Sequence, residues 1–222
     1  MSWMPDFLYQ PPLDPYLKIL YQDDDLLILD KSSGLLSVPG RLAKHADSLQ
    51  SRVQRVFPSA TVVHRLDMST SGIMLMALTK SSHRSLSKQF EKREIAKRYL
   101  ALVFGHPAEL EGRVDLPLIC DWPNRPRQKV CFETGKASVT KWKVLETFDK
   151  NSSLLLLEPV TGRSHQLRVH LQSIGHPILG DKFYAHPEAF LMYPRLALHA
   201  TYIQFSHPST GQQLSFTVPV EF

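Results

Sequence analysis

Seven consecutive residues, Gly72-Ile73-Met74-Leu75-Met76-Ala77-Leu78, carry no charged or hydroxyl side chain. A run of that length fits a buried strand and is far too short to cross a bilayer as a helix. Leu26-Leu27-Ile28-Leu29 repeats the pattern after an acidic turn, Asp23-Asp24-Asp25. Two such runs call for a sheet with other elements packed on it. Further strands are expected over 61–63, 99–104, 139–148 and 154–158, and a terminal hairpin over 196–205 and 213–218 turns at Ser209-Thr210-Gly211.

Helical spacing is sparser. Leu49, Val53 and Val56 recur at i, i+4 and i+7, predicting a helix over 48–57 capped by Asp47. Leu86 and Phe90 mark a charged helix over 81–93. Ser164 and Gly175 bracket a third, with Leu167, Leu171 and Ile174 on one face and His165, Arg168 and Gln172 on a polar one. Residues 1–15, rich in proline, read as an extended arm. Residues 115–137 read as an irregular insertion or long hairpin. Strands outnumber helices and connections are short, so the expected fold class is α+β: a mixed, mostly antiparallel sheet with flanking helices, in one domain over 1–222.

Composition narrows the class of partner. Of 222 residues, 43% are apolar and 21% charged, which excludes general disorder. Lys and Arg number 26 against 21 acids, a net charge of +5 that favours a polyanionic partner. The two cysteines form no CxxC pair, and the N-terminus lacks the basic and apolar segments of a signal peptide, so a cytoplasmic protein is expected.

Four segments carry chemistry-bearing residues. In His64-Arg65-Leu66-Asp67-Met68-Ser69-Thr70-Ser71-Gly72, a carboxylate sits in a loop between two strands. Its bland alternative is a polar turn whose Asp bonds its own backbone. In Gly162-Arg163-Ser164-His165-Gln166-Leu167-Arg168, a helix presents an arginine, against the alternative of a solvated polar face. Lys92, Arg93, Lys97 and Arg98 precede Tyr99, expected at a strand start. Trp122 lies beside Arg125, Arg127 and Lys129, a mixture suited to phosphate contact and base stacking, or simply to an exposed hairpin tip. His165, His170 and His176 lack the spacing of a metal site, so no metal is expected.

Taken together, these segments resemble the RluA-type pseudouridine synthases. The resemblance rests on HRLDMSTSG at 64–72, Lys31-Ser32-Ser33-Gly34, the lysine-rich approach to Tyr99, GRSHQLRVHL at 162–171, HPILGD at 176–181 and LALHA at 196–200. Ser32 departs from the family, which usually has proline there. The resemblance implies a catalytic fold with an RNA-binding cleft and no S4 domain. It implies isomerisation of uridine to pseudouridine without cofactor, in 23S ribosomal RNA and the tRNA anticodon stem-loop. It assigns Asp67 as the catalytic carboxylate, with Tyr99 and Arg168 beside it, and makes Arg65 the side chain that fills the space of the flipped base. His64, Arg163, His165, Arg125, Arg127 and Lys129 are then expected to contact RNA, and the protein to act as a monomer. An anionic Asp67 needs a nearby cation, so Arg168 is predicted to pair with it. The rival readings are a noncatalytic RNA-binding protein and a single-Asp hydrolase. Against the hydrolase, glycosidases place two carboxyl groups, and no second one is evident near Asp67.

Overall fold

The computed structural model describes residues 9–220 and 222. Its strands in chain order are β1 (Ile19–Gln22), β2 (Leu26–Lys31), β3 (Thr61–Val62), β4 (Ser71–Ala77), β5 (Ala96–Phe104), β6 (Glu111–Asp115), β7 (Leu118–Cys120), β8 (Gln128–Val130), β9 (Val139–Phe148), β10 (Ser152–Pro159), β11 (Leu198–Ser206) and β12 (Gln213–Thr217). The helices are α1 (Leu49–Gln54), α2 (Lys80–Lys92), α3 (Gln166–Ser173) and α4 (Pro187–Leu191). Ten strands make one sheet in the order β1-β2-β4-β11-β5-β10-β9-β6, with β12 beside β11 and β3 beside β4; β7 and β8 pair separately. Among the described strands, β4 and β11 form the one parallel pair, joined at Ser71 and Gly72.

The two apolar runs are explained by burial on both faces. Leu26 and Ile28 of β2 and Ile73, Leu75 and Ala77 of β4 pack with Leu86 of α2. The alternate residues Leu27, Leu29, Met74 and Met76 pack with Leu49 and Val53 of α1 on the other face. Farther along the sheet, Ala101, Val103, Leu155 and Leu157 meet Leu167 and Leu171 of α3. Thus α3 stands over the centre of the sheet, next to the loop that enters β4.

Several expectations need correction. Ser48, not Asp47, caps α1 through a reciprocal bond with Ser51, because Asp47 is engaged by Arg52 at 2.7 Å. That helix ends at Gln54, which leaves Val56 63% exposed. Ser164 does not cap α3: His165 holds that position, in a left-handed conformation with no side-chain capping bond. The face of α3 expected to be polar is solvated only in part: Gln172 is exposed, whereas His165 is half-buried and Arg168 buried. Tyr99 is the fourth residue of β5 rather than its start. β1 and β6, both short and mostly exposed, are strands beyond those expected. Of the expected N-terminal arm, residues 1–8 lie outside the described residues. Residues 9–15 contain neither helix nor strand, and the Tyr9 hydroxyl donates to the Asp47 carbonyl at 2.9 Å.

Candidate active site

The loop before β4 is clasped by the loop after β2. Lys31, fully buried, donates from Nζ to the carbonyls of Ser32, Leu35 and Met68 at 2.7–3.1 Å. Gly34 N–H also donates to the Met68 carbonyl, and the Ser33 hydroxyl to that of Ser69. Ser37 bonds Leu66 twice, donating to its carbonyl and accepting from its N–H. Behind the loop, Gly72 adopts φ +108, and a Cβ there would collide with the backbone of Ala200, so only glycine lets β4 lie flush on β11. Asp67 is fixed by this clasp, with 28% of its side chain exposed to the cleft.

The cleft encloses about 690 Å³ between that loop and the start of α3, and Arg65, Asp67, Tyr99, Arg163, His165 and Arg168 line it. Arg168 donates from Nη1 to Asp67 at 3.2 Å, the predicted pair. Its stronger partner is Asp181, which accepts from Nε and Nη2 at 2.7 Å each. Burial opposes the guanidinium's charge, and the two-pronged Asp181 pair more than offsets that, leaving its pKa raised. Asp181 is the acidic residue that sequence reasoning missed. It lies beyond α3 in the HPILGD segment, and only the folded chain brings it to Arg168. Gly180 before it has φ +69, with no room for a Cβ against Arg195.

The other expected residues divide into cleft and periphery. Burial raises the Tyr99 hydroxyl, and Asp67 adds to the rise, so the phenol stays protonated. His165 sends Nδ1 toward the Tyr184 hydroxyl at 2.6 Å and Nε2 toward Asp67 at 3.8 Å. The His64 ring lines the cleft, yet it accepts the Leu75 N–H at 2.9 Å and stacks on Phe90. Burial, aided by Lys97, pushes its pKa down to about 3, so it is neutral. Arg65 is exposed at the cleft. Arg93 and Lys97 line it too, whereas Lys92 and Arg98 pair with Glu94 and Glu158. Arg125, Arg127 and Lys129 do not line the cleft. They sit on the β7–β8 hairpin, with Arg125 over Trp122 at 4.6 Å, Arg127 over Phe183 at 5.9 Å and Lys129 3.5 Å from Asp121.

The three histidines considered for a metal have separate partners: His165 with Tyr184, His170 with Thr140 and the Leu116 carbonyl, His176 with the Phe104 carbonyl. Among the described residues, no three His, Cys, Asp or Glu converge as a metal-binding group. No described helix is long and apolar enough to cross a membrane.

Residues 25–173 match the family described as RNA pseudouridylate synthase. The chain is 56% identical over 214 residues to the dual-specificity RNA pseudouridine synthase RluA of Escherichia coli K12, covering 96% of this chain and 98% of that one. It is 53% identical over 214 residues to the protein of the same name from Pasteurella multocida, again covering 96% and 98%. Among solved structures, human RNA pseudouridylate synthase domain containing 1 superposes with a TM-score of 0.77 at 30% identity, covering 98% of this chain and 86% of that one. Human RNA pseudouridylate synthase domain containing 4 gives 0.74 at 25% identity, covering 92% and 88%.

Proposed function

The chain belongs to the RNA pseudouridylate synthase family, and from that premise we propose that it isomerises uridines in 23S ribosomal RNA and in a tRNA anticodon stem-loop, with Asp67 as the reacting carboxylate. The observation that carries the assignment is the position of Asp67. It is a partly exposed carboxylate at the cleft, beside an arginine whose charge is already shared with a buried Asp181. Arg168 therefore steadies Asp67 without quenching it, and the three groups together keep one net negative charge.

The reaction breaks N1–C1′, rotates the uracil and forms C5–C1′; N1 gains a proton and C5 loses one. An anionic Asp67 serves as nucleophile at C1′, as a base on the ribose, or as a stabiliser of oxocarbenium charge. A stacked uridine cannot reach it, so the base is flipped into the cleft at a cost of about a few kcal/mol. Arg65, exposed at the cleft, enters the gap in this reading, where a planar guanidinium stacks and bonds to neighbouring RNA. Tyr99 offers a ring for the uracil, and its protonated hydroxyl relays the late C5 proton, giving up its own proton as it accepts that one. Arg163 and His165 lie at the opposite wall, where phosphate or ribose would pass. His64 shapes the cleft on the side of the Asp67 loop, stacked on Phe90. The hairpin cations Arg125, Arg127 and Lys129 grip RNA outside the cleft. We place the protein in the cytoplasm, with its RNA, acting as a monomer.

The test is tritium release from RNA labelled at uridine C5, offered as a 23S fragment and as an anticodon stem-loop. Release from both supports dual specificity. Release from one narrows the substrate, and release from neither, with cellular ribosomal and transfer RNA also inert, overturns the assignment.

A further inference from the structure

The hydroxyl of Tyr184 joins three parts of the molecule. It accepts the backbone N–H of Gln128, in β8 of the hairpin, at 2.8 Å. It lies 2.6 Å from His165 Nδ1. Among the described residues its O–H meets no other acceptor, an arrangement that favours donation to Nδ1. A ring nitrogen that accepts carries no hydrogen, and a neutral imidazole then holds its proton on the other one. That other nitrogen, Nε2, faces Asp67 Oδ2 at 3.8 Å. A shift of about 1 Å closes this to a hydrogen bond.

We propose that His165 is a positioning residue for Asp67, held in its Nε2–H form by Tyr184, whose hydroxyl is itself anchored by the Gln128 N–H. The proposal rests on the reading of Asp67 given above. His165 could instead be only the residue that starts α3. Against that, its side chain makes no capping bond, and its backbone has φ +53, a conformation that costs a non-glycine residue about 1–2 kcal/mol. The ring is also confined, stacked on Phe183 at 5.8 Å and meeting the edge of Tyr184 at 5.6 Å. The charged groups facing it are Asp67, Arg168 and Asp181. Burial lowers its pKa and Arg168 reinforces this, while the two carboxylates oppose it; the net shift is downward, so the ring is neutral near pH 7. Burial likewise pushes the Tyr184 hydroxyl up to about 12, so it keeps the proton it donates.

Two variants and one spectrum test this. His165→Asn retains a residue that tolerates the left-handed conformation and removes the bridge between Tyr184 and Asp67. Tyr184→Phe removes the hydroxyl alone. Each is expected to lower the single-turnover rate at saturating RNA about tenfold, the scale of one charge-assisted hydrogen bond, a loss that weaker RNA contact alone does not produce once RNA saturates. The double variant is expected to lose no more than either single one. In protein labelled with ¹⁵N-histidine, with the His165 resonances identified by their loss in His165→Asn, long-range ¹H–¹⁵N spectra at pH 8 should show the Nε2–H form with a hydrogen-bonded Nδ1, whose resonance shifts in Tyr184→Phe. Wild-type rates in either single variant, additive losses, or an Nδ1–H form in the wild type would overturn the proposal. The spectrum is read without substrate, so failure of the assignment as a synthase, seen as no release by the wild type, is distinguished from failure of this one.

Discussion

Around Asp67 the loop carbonyls are claimed from within the protein: Met68 by Lys31 and Gly34, Ser69 by Ser33, Leu66 by Ser37. The hairpin of β7 and β8 is held differently. Trp122 is 65% exposed and Phe132 77%, and its three tip cations rest on an aromatic face or a nearby acid. It is fixed at its base through His170 to the Leu116 carbonyl, and beside its loop through Gln128 to Tyr184. Groups that do chemistry need fixed geometry, and buried polar atoms that each find a partner supply it. Groups that grip a polyanion need exchangeable partners, and exposed ion pairs are weak enough to be given up to phosphate. The contrast predicts that loop variants lose rate or stability, whereas hairpin variants lose affinity.

The largest stability effect tests the loop side. Arg168→Met leaves Asp181 buried and unpaired, and should cost about 3–5 kcal/mol in chemical denaturation along with all turnover. A stable variant would show that the Arg168–Asp181 pair does not hold the site. Next, Tyr99→Phe keeps the ring and loses the hydroxyl. It should slow single turnover roughly a hundredfold with RNA affinity unchanged; an unaltered rate would leave Tyr99 a packing role only.

Lys31→Met should cost about 1–3 kcal/mol by stripping carbonyls of their donor. Its pH signature is more specific. Burial pulls the Lys31 ammonium down to about 7, against the nearby charge of Asp67, while an unfolded lysine titrates near 10.4. Between those values the unfolded chain binds more protons, so this residue's contribution to stability rises with pH. The difference in Tm between wild type and Lys31→Met should widen from pH 7 to 9, and a constant difference would contradict the assignment. The smallest effect lies in the hairpin. Replacing Arg125, Arg127 and Lys129 together by alanine should weaken RNA binding and reduce the slope of log Kd against log salt by roughly 2–3.

The two regions also differed in how far the sequence disclosed them. Strands such as β2 and β4 were legible because burial on both faces leaves unbroken apolar runs, and β9 and α2 because their spacing is regular. β1 and β6 were not, since Ile19–Gln22 and Glu111–Asp115 are short and mostly exposed and become strands only by pairing with β2 and β9. Asp67 and Arg168 stood out in their motifs. Asp181 and Tyr184 did not, because their importance lies in contacts with Arg168 and His165 that chain position alone does not reveal. Lys31 stood in the sequence only as the first residue of the Lys31-Ser32-Ser33-Gly34 segment, and its burial beneath the loop required the fold. The hairpin's cations were visible at once, as exposed charge usually is, though not the tether through Gln128, which uses a backbone N–H.

The division between chemistry and grip is tested most directly by measuring two quantities on one pair of variants: RNA affinity, and tritium release from C5-labelled uridine at saturating RNA. Asp67→Asn is expected to bind as the wild type does and release nothing, while the triple hairpin variant binds more weakly and releases tritium at the wild-type rate once saturated. Sustained release by Asp67→Asn would contradict the account, since the reaction would then proceed without the carboxylate on which the site is built.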